Sequence, residues 1–148
     1  MYREQNDLIK LKYWTAICVK TDGSFFILMK IEKINDLIGH EGAIYALEES
    51  FEANKCYSGG FDNIIVEWDL ELPKNPIGIA KLPSKAFSIL KIESLNLLLI
   101  GQAQGGVHVI DIKTKKEVKF LKVHTDMVFD LHFDKIKNQL ISVSADGS

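Results

Sequence analysis

The 148-residue chain is poor in several features that would announce a chemistry. It carries two cysteines, Cys18 and Cys56, too few and too unpatterned for a disulfide framework, and this suits a reducing, cytoplasmic compartment. The formal charge is −2, so the chain lacks the basic field expected of a nucleic-acid binder. No apolar run is long enough to span a bilayer. Glu4 and Asp7 at the N-terminus, with Lys10, Lys12 and Lys20 breaking the apolar runs, do not make a secretory signal. No segment of ten or more residues has helical periodicity. Contact with nucleic acid or membrane is therefore not expected.

What is present is a repeat. Gly39-His40 is followed 28 residues later by Trp68-Asp69, and His40 has a counterpart at His124, two periods of 42 residues further on. From His40, Ile44 and Leu47 follow at +4 and +7, Cys56 at +16, Ser58 at +18, Asp62 at +22 and Trp68 at +28. From His124 the same offsets give Val128, Leu131, Leu140, Ser142 and Asp146. The middle unit, counted from Leu82, keeps the apolar frame (Ala86, Ile89, Leu98, Ile100) and replaces the polar members with Leu82, Ile100, Gln104 and Ile110. A Gly-His…Trp-Asp signature with a period of about 40–45 residues is the mark of a β-propeller blade.

On these residues the chain resembles the WD-repeat β-propeller family over about residues 29–148. The resemblance implies an all-β fold: consecutive four-stranded antiparallel blades forming part of a ring, the last blade incomplete. The local pattern agrees. Short runs rich in Ile, Val, Tyr and Trp at residues 43–48, 54–59 and 64–69 read as strands, and outer strands are expected near residues 32–38, 77–81 and 117–121. The turn chemistry at residues 60–63, Gly105-Gly106 and Asp146-Gly147 suits tight hairpins.

His40, Ser58, Asp62 and Trp68 admit two readings. The residue types are those of a nucleophilic triad, which is defined by geometry and not by chain order. However, Cys56 stands where a Gly-x-Ser-x-Gly elbow around Ser58 needs glycine, and the set partly recurs at His124, Ser142 and Asp146. The resemblance implies a structural hydrogen-bond chain inside each blade. Loss of all four members from the middle unit fits that role, because a half-satisfied buried network is worse than an apolar one. Blade two is expected to pack by apolar contact, with Gln104 exposed at its turn.

Other chemical motifs fall away. Residues 101–106 suggest a phosphate loop but lack the Lys-Ser/Thr ending and precede a strand. His108 and His132 stand without ligand neighbours at metal-binding spacing, so no metal or cofactor is expected. The cluster Lys113, Lys115, Lys116, Lys119 and Lys122 reads as a solvated outer edge. In the family resembled, partners dock on the face carrying positions +3 and +5 and the residue before the turn aspartate. Here these are Ala43, Tyr45, Phe61, Lys85, Phe87, Ala103, Met127, Phe129 and Ala145. Tyr45, Phe61, Phe87, Met127 and Phe129 place large apolar groups on one rim, although inter-blade packing is an equal reading.

The expected function is a non-catalytic protein-interaction scaffold. The alternatives are a propeller hydrolase or lyase with a central-channel site and a non-functional piece of a longer protein. The innermost strands offer mainly Ile44, Leu47, Ile89, Val128 and Leu131 to a channel, with Asp130 and His132 as the polar candidates. Residues 1–28 are either a hairpin from a degenerate blade or an extension before a start at Met29. Because the pattern halts inside its third unit, the chain is expected to continue in a longer protein; if it does not, open blade edges invite self-association.

Overall fold

A computed structural model describes residues 36–72 and 74–148, together with the backbone of residues 19–21 and 24–26. The last two form a short hairpin, β1 (Val19–Thr21) with β2 (Ser24–Phe26). Cys18, Pro73 and the proposed start at Met29 lie outside the described residues. Of the outer strand expected at residues 32–38, only 36–38 are described, and they run as an irregular segment.

The rest is all-β. Blade one is β3 (Ile44–Glu49), β4 (Lys55–Gly60), β5 (Ile64–Asp69) and β6 (Ile77–Lys81), hydrogen-bonded in that order. Blade two is β7 (Ala86–Ile92), β8 (Leu97–Gln102), β9 (Gly106–Asp111) and β10 (Lys116–Lys122), again antiparallel neighbours throughout. Blade three contributes β11 (Val128–Asp134) and β12 (Gln139–Ser144). Among the described residues there is no α-helix, only a single 3-10 turn at Glu93–Leu95.

The period is written into the backbone. The turns joining the two innermost strands of each blade need one residue in the left-handed region. Asn54, Asn96 and Asn138 supply it at φ 61°, 56° and 55°, one asparagine every 42 residues. Asparagine tolerates this conformation better than other side chains with a Cβ. Each innermost strand also carries one bulge at the equivalent place: the register shifts between Ile44 and Ala46, between Ala86 and Ser88, and between Val128 and Asp130. The extra residues are Tyr45, Phe87 and Phe129. A bulge re-aims the side chain it carries.

The innermost strands lie side by side, β7 packing against both β3 and β11. Two of the three buried clusters among the described residues join neighbouring blades, and the third packs Cys56, Val66 and Trp68 with Leu37. One cluster joins Ala46, Tyr57, Ile65 and Ile79 of blade one to Ala86, Ile89, Leu98, Ile100 and Ile110 of blade two. A second joins Leu99, Val107 and Val109 of blade two to Val128 and Leu131 of blade three. Ile89, Val128 and Leu131 therefore fill the spaces between blades and do not line a channel as the sequence suggested. Ile100, where the repeat places a serine, is fully buried in the first cluster, and Gln104 is exposed.

Close approach of the blades depends on small residues. A Cβ on Gly101 would sit 2.3 Å from Ser88 Oγ and 2.8 Å from Val128 Cγ1, across the interface where Ser88 Oγ donates to Val128 O at 3.0 Å. Gly101→Ala is expected to lower stability to urea by about 1–3 kcal/mol through overpacking. Gly78→Ala, in strand β6 with nothing within 4 Å of the added carbon, is the control and should be near neutral. Equal losses in the two variants would remove the overpacking explanation.

Candidate functional site

The two ends of each blade differ. One end gathers the loops entering β3, β7 and β11 with the turns after β4, β8 and β12. At this end the repeated polar residues meet. In blade one the Trp68 indole N–H donates to Ser58 Oγ at 2.6 Å. Ser58 Oγ lies 2.7 Å from His40 Nε2, and His40 Nδ1 lies 2.7 Å from Asp62 Oδ2. Indole is a donor only, so the serine oxygen accepts from it. Nδ1–H donates to the carboxylate, which fixes the orientation of the ring.

Asp62 accepts further from the backbone N–H of Glu41 at 3.1 Å and of Ile64 at 3.3 Å. Burial works to raise its pKa, but the hydrogen bonds from His40 and the two amides outweigh it and hold the carboxyl below its usual range. The chain thus ties the turn after β4 to the loop entering β3. Trp68 and Ser58 are fully buried. With its hydroxyl held between two partners in the protein core, Ser58 is unsuited to attack a substrate. These facts support the structural role.

Blade three repeats the arrangement. His124 Nε2 is 2.8 Å from Ser142 Oγ, and His124 Nδ1 is 3.1 Å from Asp146 Oδ2. Asp146 accepts from the Thr125 backbone N–H at 3.0 Å and from the Ser148 hydroxyl and amide, which keep its carboxyl well below the ordinary value despite desolvation.

Blade two holds a different polar chain that sequence reasoning missed. Ser84 Oγ donates to Gln102 Oε1 at 2.9 Å, and the His108 ring sits between Gln102 Oε1 at 3.1 Å and Glu117 Oε2 at 3.2 Å. The Phe120 ring packs on His108 with centroids 4.7 Å apart. His108 is therefore held between two side chains, and blade two is not purely apolar. The available signal was two polar residues, Gln102 and His108, on strands otherwise apolar enough to be buried on both faces.

The rim residues lie at this same end. Tyr45 and Phe87 stack with centroids 4.7 Å apart and planes 2° from parallel, and Phe87 meets Phe129 edge-on at 6.2 Å. One bulge residue from each blade thus forms a continuous aromatic ladder. Tyr45 remains 43% exposed and Phe129 50%, with Phe87 between them partly covered. Phe61, at the tip of the turn after β4, is half exposed, and Lys85 Nζ lies 4.2 Å above its ring. Met127 is partly buried at the entry to β11. The rings pack across blades and still present apolar surface.

Elsewhere the polar candidates do not converge. Asp130 accepts from the N–H of the next residue, Leu131, at 2.9 Å, and His132 is exposed. Among the described residues no three His, Cys, Asp or Glu side chains come together as metal ligands. The Cys56 thiol is pushed up to about 11 by burial and by the Glu67 charge, which makes it a poor nucleophile.

No family model matches the chain. It is 20% identical over 138 residues to the WD repeat-containing protein 91 homolog of Dictyostelium discoideum, covering 93% of this chain and 17% of that protein. The chain therefore spans about a sixth of that relative's length. The crystal structure of RRP9 WD40 repeats superposes with a TM-score of 0.64 at 21% identity, over 74% of this chain and 35% of that one. The fold is that of a partial WD-repeat β-propeller.

Ser58→Ala is expected to cost about 2–3 kcal/mol, because it leaves a buried indole N–H and an imidazole nitrogen without partners. Urea denaturation measures this, and a loss below about 0.5 kcal/mol would show that the chain does not support the blade. Asp62 adds a pH dependence. Its folded pKa is depressed from 3.8, so its contribution is complete above that value and is lost as the pH falls through the lower folded value. The stability gap between the parent chain and Asp62→Asn should be constant near neutral pH and shrink below about pH 4.

Proposed function

We propose that the chain is part of a non-catalytic scaffold that binds a partner protein through the rim formed by Tyr45, Phe61, Phe87, Met127 and Phe129. The observation that carries this reading is the aromatic ladder across three blades, with Phe61 beside it. Large apolar side chains left half exposed in a contiguous group mark an interaction surface, whereas scattered ones do not. Aromatic side chains and methionine are also the types enriched in the buried centres of interfaces.

Each ladder ring is placed by a bulge in an innermost strand that is paired to the second strand of its blade and packed against an adjacent blade. Such a site is rigid before the partner arrives, which reduces the ordering cost of binding. The polar chains at His40 and His124 contribute indirectly by fixing the loops from which β3 and β11 start. For the alternative of catalysis at a central channel, Asp130 and His132 join no group of three possible metal ligands among the described residues. A cytoplasmic setting is part of the proposal, and it rests on the sparse cysteines and on the inert environment of Cys56.

The test is recovery of a defined partner on the immobilised chain, compared with two rim variants. Phe61→Ala and Phe87→Ala are each expected to weaken that partner by about tenfold or more. Phe61→Ala should cost at most about 1 kcal/mol of stability, because its ring is a half-exposed turn tip. Ile136→Ser, on the turn at the opposite end of blade three, should bind as the parent does. Undiminished binding by both rim variants would refute the rim as the site.

A further inference from the structure

The charge around the ladder specifies what kind of segment it takes, and this step rests on the rim being a binding site. The carboxylates of Glu41, Asp62, Asp126 and Asp146 stand on the loops and turns at that end. Asp62 and Asp146 accept hydrogen bonds from the ring nitrogens of His40 and His124. Glu41 and Asp126 are exposed beside them, and the Met127 N–H, at 2.7 Å from Asp126 Oδ1, orients that carboxylate on the loop that leads into Phe129.

Lysines do not balance this charge near the innermost strands. Lys85 is the one lysine on the entering loops and turns of the described residues, and its ammonium is already seated over Phe61. Lys81 and Lys122 end the outermost strands, at the periphery of each blade. The Lys85–Phe61 pair shows how this rim accommodates a cation, on a ring face, as aromatic side chains do generally. The ring of Phe129 is half exposed and carries no lysine ammonium over it among the described residues, with Asp126 three residues before it.

We infer that the rim takes a partner-protein segment that presents an arginine or lysine next to an aliphatic or aromatic side chain. The apolar side chain lies on the Tyr45–Phe87–Phe129 ladder. The cation meets the Phe129 ring and the Asp126 carboxylate, and Glu41 adds to the negative field along the rim. The ladder supplies burial, and the carboxylates supply selection and faster encounter with positively charged segments.

The experiment is selection of a display library of random short peptides on the full 148-residue chain, followed by affinity measurement on the parent, on Phe87→Ala and on the double variant Glu41→Gln, Asp126→Asn. Thermal melts confirm that each variant is folded. The expected result is a pool enriched in arginine or lysine adjacent to apolar residues. Those peptides should be lost on Phe87→Ala, weakened about tenfold on the double variant, and weakened further in high salt. Ladder-dependent peptides with no basic enrichment, or with unchanged affinity for the double variant, overturn the inference and leave the rim as a binding site. Absence of any peptide that depends on Phe87 overturns both.

Discussion

Everything in this chain depends on burying blade faces against other blades. A four-stranded sheet has two faces, and a single blade has too little interior to cover either. Tyr57 and Ile65 of blade one, and Leu98, Leu99, Ile100, Val107, Val109 and Ile110 of blade two, are covered by a neighbouring blade, whereas Cys56, Val66 and Trp68 pack with Leu37. Tyr57 and Leu99 occupy equivalent positions 42 residues apart and are both buried this way. Ile141, a further 42 residues on, is half exposed on the last described strand. The same side chain position is core or surface according to whether a neighbour is present. This dependence explains why small residues such as Gly101 and Ala86 sit at the innermost contacts, where the strands converge.

The polar chains are secondary to that burial and are solved twice in different ways. Blades one and three use the histidine, serine and aspartate of the repeat, with tryptophan completing the set in blade one. Blade two fills the same positions with Leu82, Ile100 and Ile110 and moves its polar chain to Ser84, Gln102, His108 and Glu117. Both solutions obey one rule: a polar group taken from water into the sheet must find a partner there. The repeat chain was legible because its members recur at fixed offsets. The blade-two chain was not, because its members occur once and are joined only when β8, β9 and β10 come into register.

The rim shows the same division. The sequence places aromatics at Tyr45, Phe87 and Phe129, one per period. It does not show that each sits on a bulge, since a bulge is a relation between two strands and belongs to neither alone. Without the bulge the ring would follow the strict alternation of its strand. With it, three rings meet across blade boundaries and remain open to solvent on one side. The asparagines at positions 54, 96 and 138 are the opposite case: their period was open to inspection, and the left-handed turn they serve is a local property of the backbone.

The sequence by itself determined the blade period, the strand and turn pattern, and the polar chain of blades one and three. Those features arise from local conformational preference and from offsets that one strand hairpin can satisfy. Only the tertiary structure decided that Ile89, Val128 and Leu131 belong between blades and not in a channel, that His108 has buried partners, and that three separated aromatics form one ladder. Each of these is a contact between segments tens of residues apart. Such contacts are fixed by how one sheet packs on the next, a geometry that no single strand encodes.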